Sequence, residues 1–356
     1  MIKRPVTLKQ VASSAGVSYQ TVSKVLNRQI RVSKETEERI RDAARSLGYR
    51  PSFVARSLRT QRAFTIGYSW PPSSPDQENI ILDQFLQSMF FAAEKRGYYL
   101  LCFPYHSNIE KHLATYDELI ETRRVDGFVL SNIEYDDPRV KLLLERNFPF
   151  VAFGRSNPDL SFPWIDVDGG LGIHQSMLHL LERGHRKIGA LAWPLDSRVG
   201  TNRLEGYFSA FSEAGITPDV SWIKRGEGVF EFGYRATMEL LDLPEDCRPT
   251  ALIALNDMMA LGASQAAKDR GLQVGSDFAV TGFDDAPMVQ YTYPPLTTLR
   301  QPITEIGQRI ISMLMEYINR GSIPENSTML VAPQLIVRGS TMQDVPNACI
   351  WNSKPI

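Results

Sequence analysis

The sequence predicts an N-terminal all-α helix-turn-helix headpiece joined by a short linker to an α/β body of two lobes, each a parallel sheet flanked by helices. Three observations carry this expectation. Residues 1–62 hold 14 Lys and Arg against 4 Asp and Glu, whereas the remaining residues hold 25 against 36. Capping residues and glycines inside that basic segment mark three short helices. From Thr65 onward, short apolar runs alternate with helix-length amphipathic stretches, the rhythm of repeated βα units. A chain of 356 residues is also too long for one ordinary core.

The first helix opens at Thr7-Leu8-Lys9-Gln10, which has the form of a capping box. Leu8, Val11, Ala12 and Ala15 give it one apolar face, and Gly16 supplies the positive φ that ends it. Ser18 caps a second helix whose inward positions are Val22, Val25 and Leu26. Two helices joined by a three-residue, glycine-containing turn form a helix-turn-helix. A third helix runs from Ser33 to Leu47, with Ile40, Ala43, Ala44 and Leu47 inward and Gly48 as its stop. The local charge of +10 against −11 for the rest of the chain points to a polyanion partner for this segment alone.

In a helix-turn-helix the second helix enters the major groove of double-stranded DNA. Tyr19, Gln20 and Lys24 occupy its outward surface. Gln20 matches the bidentate edge of adenine, Lys24 can donate to guanine O6 and N7, and Tyr19 offers its ring and hydroxyl. Thr21, Ser23, Asn27 and Arg28 are placed for phosphates, contacts that set register rather than sequence, and the capping residues Thr7 and Ser18 count among the expected DNA-binding residues.

The order Val6-Thr7-Leu8-Lys9-Gln10-Val11-Ala12, then Ala15-Gly16-Val17-Ser18-Tyr19-Gln20-Thr21-Val22-Ser23-Lys24-Val25-Leu26-Asn27, resembles the headpiece of the lactose-repressor family. Residues 47–58, Leu-Gly-Tyr-Arg-Pro-Ser-Phe-Val-Ala-Arg-Ser-Leu, resemble the hinge of that family. The resemblance implies a hinge helix that forms on operator DNA, contacts from Ala55, and Leu58 as a wedge in the minor groove at the centre of the site. An apolar wedge unstacks a base step and bends the duplex. Gln10 departs from the usual acid of the family but still completes a cap, and Ser52 replaces the usual Asn before the hinge.

The body continues the resemblance through Asp126-Gly127-Phe128, Asp166-Val167-Asp168, Arg183-Gly184-His185, Arg203-Leu204-Glu205-Gly206-Tyr207, Asn256-Asp257-Met258, Gly282-Phe283-Asp284-Asp285, Thr297-Thr298-Leu299-Arg300-Gln301-Pro302 and Val337-Arg338-Gly339. Together these are similar to the effector-binding core of that family, a relative of periplasmic sugar-binding proteins. The implied domains are a headpiece over 1–50, a hinge over 51–62, a two-lobed body over 63–341 and a tail over 342–356. The first lobe is expected over about 63–164 and 295–327, the second over about 165–294 and 328–341.

Ligands of open α/β sheets sit beyond the carboxyl ends of the strands. The resemblance places Arg203, Asn256 or its neighbour Asp257, and Asp284 there, where guanidinium and carboxylate groups suit vicinal hydroxyls. Asp257 equally suits the cap of the helix that starts beside it. Phe230 and Phe232, expected in a loop before a helix over 233–242, either stack on a sugar face or belong to the core. Trp70, in a proline-rich first loop, either stacks on a pyranose or packs at the rim. Phe153-Gly154-Arg155-Ser156 replaces the commoner hydrophobic-Asp-Arg ending of its strand, and Arg155 joins the expected effector-binding residues. Gly169 stands where the family commonly has Asn. The loop after Trp70 and the strand ending Phe153-Gly154-Arg155-Ser156 resemble regulators of α-glucoside and oligosaccharide use.

The expected effector is therefore a sugar, and the expected state a homodimer or tetramer on operator DNA. A nucleobase corepressor is the alternative, and activation in place of repression stays open. No stretch of about 18 apolar residues spans a membrane, and the start Met1–Thr7 lacks the apolar run of a secretory signal. That argues for the cytoplasm and against a carbohydrate-transport protein of the same fold. Phosphate loops, nucleophile elbows and paired metal ligands are missing among the motifs, so neither an enzyme, a cofactor nor a metal site is expected. The three cysteines, Cys102, Cys247 and Cys349, are read as two core thiols and one tail thiol.

Overall fold

The computed structural model of the chain describes residues 6–26, 30–49, 57–58, 60–70 and 80–342. The chain divides into two units, Met1–Ala63 and Phe64–Ile356. In the first, α1 (Leu8–Ala15), α2 (Tyr19–Leu26) and α3 (Lys34–Leu47) pack around Val11, Val22 and Ile40, all fully buried. Burying such side chains contributes about 1.5–3 kcal/mol each. The capping box closes as expected: the Thr7 N–H donates to Gln10 Oε1 at 2.9 Å, and the Gln10 N–H to Thr7 Oγ1 at 3.4 Å. Gly16 and Gly48 take φ of 63° and 67° and end α1 and α3. Leu47, expected inward, is 39% exposed, and Tyr49 packs against the headpiece core in its place. One turn beyond Ala43 and Ala44, the cap at Gly48 has already turned the chain, so the next residue is the one that returns to the core.

The body has two parallel sheets. The first uses β1 (Thr65–Trp70), β2 (Tyr99–Pro104), β3 (Gly127–Leu130), β4 (Phe150–Phe153), β5 (Trp164–Val167) and, much later in the chain, β11 (Thr328–Val331). Their order is β11-β5-β4-β3-β1-β2. The second runs β7-β6-β8-β9, from β6 (Ile188–Ala192), β7 (Ile223–Arg225), β8 (Ala251–Ala254) and β9 (Ala279–Thr281). Every pairing within these two sheets is parallel. The connecting helices are α4 (Ile80–Glu94), α5 (Ile109–Glu121), α6 (Pro138–Glu145), α7 (Gly169–Glu182), α8 (Arg198–Glu213), α9 (Phe230–Leu241) and α10 (Asp257–Asp269). β10 (Thr298–Arg300) and β12 (Gln334–Ile336) pair antiparallel, and α11 (Ile303–Arg320) lies between them in sequence.

Both lobes of the expected α/β body are therefore present, with boundaries moved. Trp164–Val167 and Thr328–Val331 belong to the first sheet, a few residues past the expected limits of 164 and 327. Residues 297 and 298–300 sit with the second lobe and the crossing ribbon, through the Thr281–Thr297 bridge and β12. The chain thus passes between lobes near Asp168, Gln301 and Ala332. Cys102 and Cys247, read as core thiols, are exposed. Cys102 lies on the edge strand β2 with its side chain outward.

Small residues set how closely the helices approach. A Cβ on Gly206 would lie 2.0 Å from the Gly170 carbonyl oxygen and 2.9 Å from the His174 nitrogen. Both obstacles are backbone, which cannot step aside as a side chain can. Gly206→Ala should force α7 and α8 apart and cost about 3 kcal/mol, the upper end for overpacking. Calorimetry of the full chain should show a body transition several degrees lower. An unchanged midpoint would mean that the two helices separate freely.

Candidate functional site

On the headpiece, burial of Val22 and Val25 leaves Tyr19, Gln20 and Lys24 on the outer side of α2, with Tyr19 53% exposed. Ser18 fixes the start of this helix: its Oγ accepts the Thr21 N–H at 3.1 Å and lies 2.9 Å from Thr21 Oγ1. Thr7 and Ser18 are thus committed first to capping. Thr21 and Ser23 are half-buried beside them. Asn27, Arg28 and Ala55 lie outside the described residues. Ser57, Leu58 and Thr60 are helical, and Leu58 is 78% exposed.

In the body, the strand ends converge as the α/β rule requires. Arg155 follows β4, Trp193 follows β6, Asn256 and Asp257 follow β8, and Asp284 follows β9. Arg203 projects from α8 and is 7% exposed. Its Nη1 donates to the Leu255 carbonyl, and its guanidinium lies 3.4 Å from the centre of the Phe283 ring and 5.1 Å from that of Trp193. Nη2 stands 3.9 Å from Asp284 Oδ1. The Nε–H is buried with no partner. Leaving such a donor unpaired costs roughly 1–3 kcal/mol, so it asks for an explanation. Gly169 explains how Arg203 comes to lie there. A Cβ at that position would be 2.7 Å from Arg203 Cγ. Glycine at this position thus leaves this arginine room to cross the start of α7.

Asp284 has φ of 120°, a strained conformation for a residue with a Cβ. Its N–H donates to the Leu299 carbonyl at 2.8 Å, which holds the turn, and Gln301 Nε2 donates to its Oδ1 at 2.7 Å. Burial pushes its carboxyl up to about 6, against the pull of Arg203 and Gln301. The carboxyl still keeps 21% of its side-chain surface open.

The pair at the start of α10 divides its work. Asn256, not Asp257, caps the helix: its Oδ1 accepts the Met259 N–H at 2.9 Å and its Nδ2 donates to the Gly228 carbonyl at 2.8 Å. Asp257 is 1% exposed, and its two oxygens accept from Thr298 Oγ1 at 2.6 Å and from the Ala286 N–H at 2.7 Å. Burial and the nearby Asp284 raise its pKa. With both oxygens engaged, Asp257 braces the Asp284 turn against β10 instead of presenting a free carboxylate.

Arg155 is also engaged. Its Nε donates to Asp166 at 2.8 Å, its Nη2 to Asn202 Oδ1 at 3.2 Å, and its guanidinium covers the Trp164 ring at 5.6 Å. It joins the first lobe to α8 of the second. Phe230 and Phe232 lie inside α9, not in a loop before it. The helix is preceded by Val229, whose side chain makes no cap, so the sequence carried no start signal there. Phe232 is core at 8% exposure, whereas half-buried Phe230 stacks on Tyr234 at 6.4 Å. Trp70 ends β1 half-buried, edge-on to Tyr68 at 6.1 Å. Two residues of the site were not singled out from the sequence: Gln301 lay within a quoted motif without an assigned role, and Trp193 stood in no motif. Trp193 directly follows a strand, and the strand-end rule would have found it.

Comparison with known proteins follows the same division. A family model described as bacterial regulatory proteins, lacI family, matches residues 7–52, and one described as a periplasmic binding protein-like domain matches residues 177–341. The chain is similar to the HTH-type transcriptional repressor PurR of Erwinia tasmaniensis, with 37% identity over 339 residues, 94% of this chain and 96% of that one. Among solved structures it resembles the Lac repressor dimer bound to operator and the anti-inducer ONPF, with TM-score 0.82 and 29% identity over 95% of this chain and all of that one. It also resembles the transcriptional regulator CelR in complex with cellobiose, with TM-score 0.70 and 31% identity over the same shares.

Proposed function

We propose, for a chain that belongs to the lacI family of bacterial regulatory proteins and is a DNA-binding transcriptional repressor, that a sugar filling the cleft beside Arg203 releases it from its operator. It is not an enzyme. In this reading it binds a two-fold site as a cytoplasmic homodimer, reads bases through Tyr19, Gln20 and Lys24, and wedges Leu58 into the minor groove. The effector is an α-glucoside or related oligosaccharide.

The observation that carries the effector reading is the buried, unpartnered Nε–H of Arg203 between aromatic rings and beside Asp284. Donor and acceptor side by side match a pair of vicinal hydroxyls, and Trp193 offers the apolar face that a sugar ring stacks on. The similar regulator CelR was solved with cellobiose, which supports a sugar effector here. Asn256, Phe230, Trp70 and Arg155 complete the contacts, with Asp257 and Gln301 holding Asp284 in place.

The test is a thermal-shift screen of mono- and disaccharides against nucleobases, followed by titration of each stabilising compound onto an operator complex. Stabilisation should grow as RT ln(1 + [L]/Kd) for the true effector. A sugar should stabilise the protein and release DNA. A nucleobase that tightens DNA binding would overturn the reading in favour of corepression. The pH dependence adds a second readout. Hydroxyl donors need Asp284 ionised, and burial pushes its carboxyl up to about 6. Protons therefore compete with the sugar: Kd should be flat above pH 7 and rise as pH falls through 6, approaching tenfold per unit. A flat profile down to pH 5 would remove Asp284 from the contact.

A further inference from the structure

The loop after β3 in the first lobe reaches the helix of the second lobe that carries Arg203. Glu134 Oε2 accepts the N–H of Arg198, the first residue of α8, at 2.8 Å. That N–H is one of the donors a helix start leaves without an internal partner, and the positive end of the helix favours a carboxylate there. Beside it, the Arg198 guanidinium covers the ring of Tyr135 at 5.7 Å, and Arg155 reaches Asn202 from the same lobe. The first turns of α8 are thus held from outside their own lobe at three points, all just ahead of Arg203.

The loop is built to hold its shape. Buried Arg139 pairs with Asp137 at 2.6 Å and donates to the carbonyls of Ser131 and Asn132 at 3.1 and 2.9 Å. Ser156 Oγ donates to the Glu134 carbonyl at 2.8 Å, and Asn157 Oδ1 accepts the Asp136 N–H at 2.7 Å. None of these bonds is needed to close the first-lobe sheet. Their common product is a fixed position for Glu134 and Tyr135.

We infer that Glu134 is a closure latch, a positioning residue of one lobe that caps α8 of the other and so sets how tightly Arg203 is held over the cleft. Opening the lobes would strip the cap from α8, so an effector that prefers the closed arrangement gains affinity from the latch. This rests on the effector reading above, but its first test does not.

Hydrogen exchange on the full, ligand-free chain reads the latch directly. Glu134→Ala should speed exchange of the peptide over 196–204 about fivefold, in line with loss of a helix-start acceptor, and leave headpiece peptides unchanged. Glu134→Gln, which keeps an acceptor oxygen, should restore most of the protection. Matching melting temperatures for the two variants would separate this from general destabilisation. With maltose, an α-linked disaccharide, as probe, Glu134→Ala should also raise Kd about fivefold if the sugar binds. Unchanged exchange in 196–204, or Gln behaving like Ala, would overturn the latch. Failure of maltose to bind, with the exchange pattern as expected, would count against the effector reading alone.

Discussion

Replacing Arg203 by lysine should give a repressor that still holds its operator and no longer lets go when sugar is added. Lysine keeps the positive charge facing Asp284 but loses the planar fork and the Nε–H. The contact to the Leu255 carbonyl, the 3.4 Å approach to Phe283 and the unpaired Nε–H all belong to that fork. The charge-assisted hydrogen bond from the Nε–H to the effector, at about 1.5–3 kcal/mol, should disappear. Effector affinity should then drop by a factor of about 10 to 150. Operator affinity should stay within about threefold of the parent, because the headpiece is a separate unit with its own core. Arg203→Ala is the harsher variant, since it opens a cavity and leaves Asp284 without its neutralising partner. The measurement is release of labelled operator by the best stabilising sugar. Release of parent and Arg203→Lys at the same sugar concentration would exclude Arg203 from the site.

Such a chain can be read from sequence only where the cause of structure is local. The headpiece was legible almost residue by residue, because Thr7 with Gln10, Gly16, Ser33 and Gly48 act within four positions of themselves. The longer, fully buried strands were legible for a similar reason: Gly127–Leu130, Ile188–Ala192 and Ala251–Ala254 are unbroken apolar runs. β7 was not, since Ile-Lys-Arg carries no such run, and β11 alternates exposed and half-buried residues, unlike a fully buried strand. In the site, Arg203 and Asp284 were found through a motif, not through their geometry. Asn256 caps a residue three positions on, but the bonds that turn Asp257 into a brace reach 29 and 41 positions away, and Glu134 meets Arg198 across 64. Periodicity and capping are silent at such separations, so a polar residue at a helix start looks the same whether it binds a ligand, caps or braces.

Lys24→Ala should abolish discrimination at one base position in each half-site while sparing general attraction to DNA. Lys24 stands in the last turn of α2, exposed on the side opposite Val22 and Val25, with Tyr19 and Gln20 on the same outer surface. A single good base-edge contact is worth about 1–3 kcal/mol of discrimination. A homodimer makes it twice, so the effect at a two-fold site should reach about 2–6 kcal/mol, roughly 30-fold to more than 10,000-fold. Binding to random DNA depends instead on the summed charge of the basic segment, 14 Lys and Arg against 4 Asp and Glu, of which one cation is removed. Its affinity should therefore fall only slightly, and the slope of log affinity against log salt should become shallower by at most about one per headpiece. The comparison needs a site selected from random duplexes by the parent protein, every single-base variant of it, and one unrelated duplex. For Lys24→Ala, one position per half-site should become indifferent to the base it carries. Equal weakening on the selected and the unrelated duplex would instead assign Lys24 to the phosphates and leave base reading to Tyr19 and Gln20.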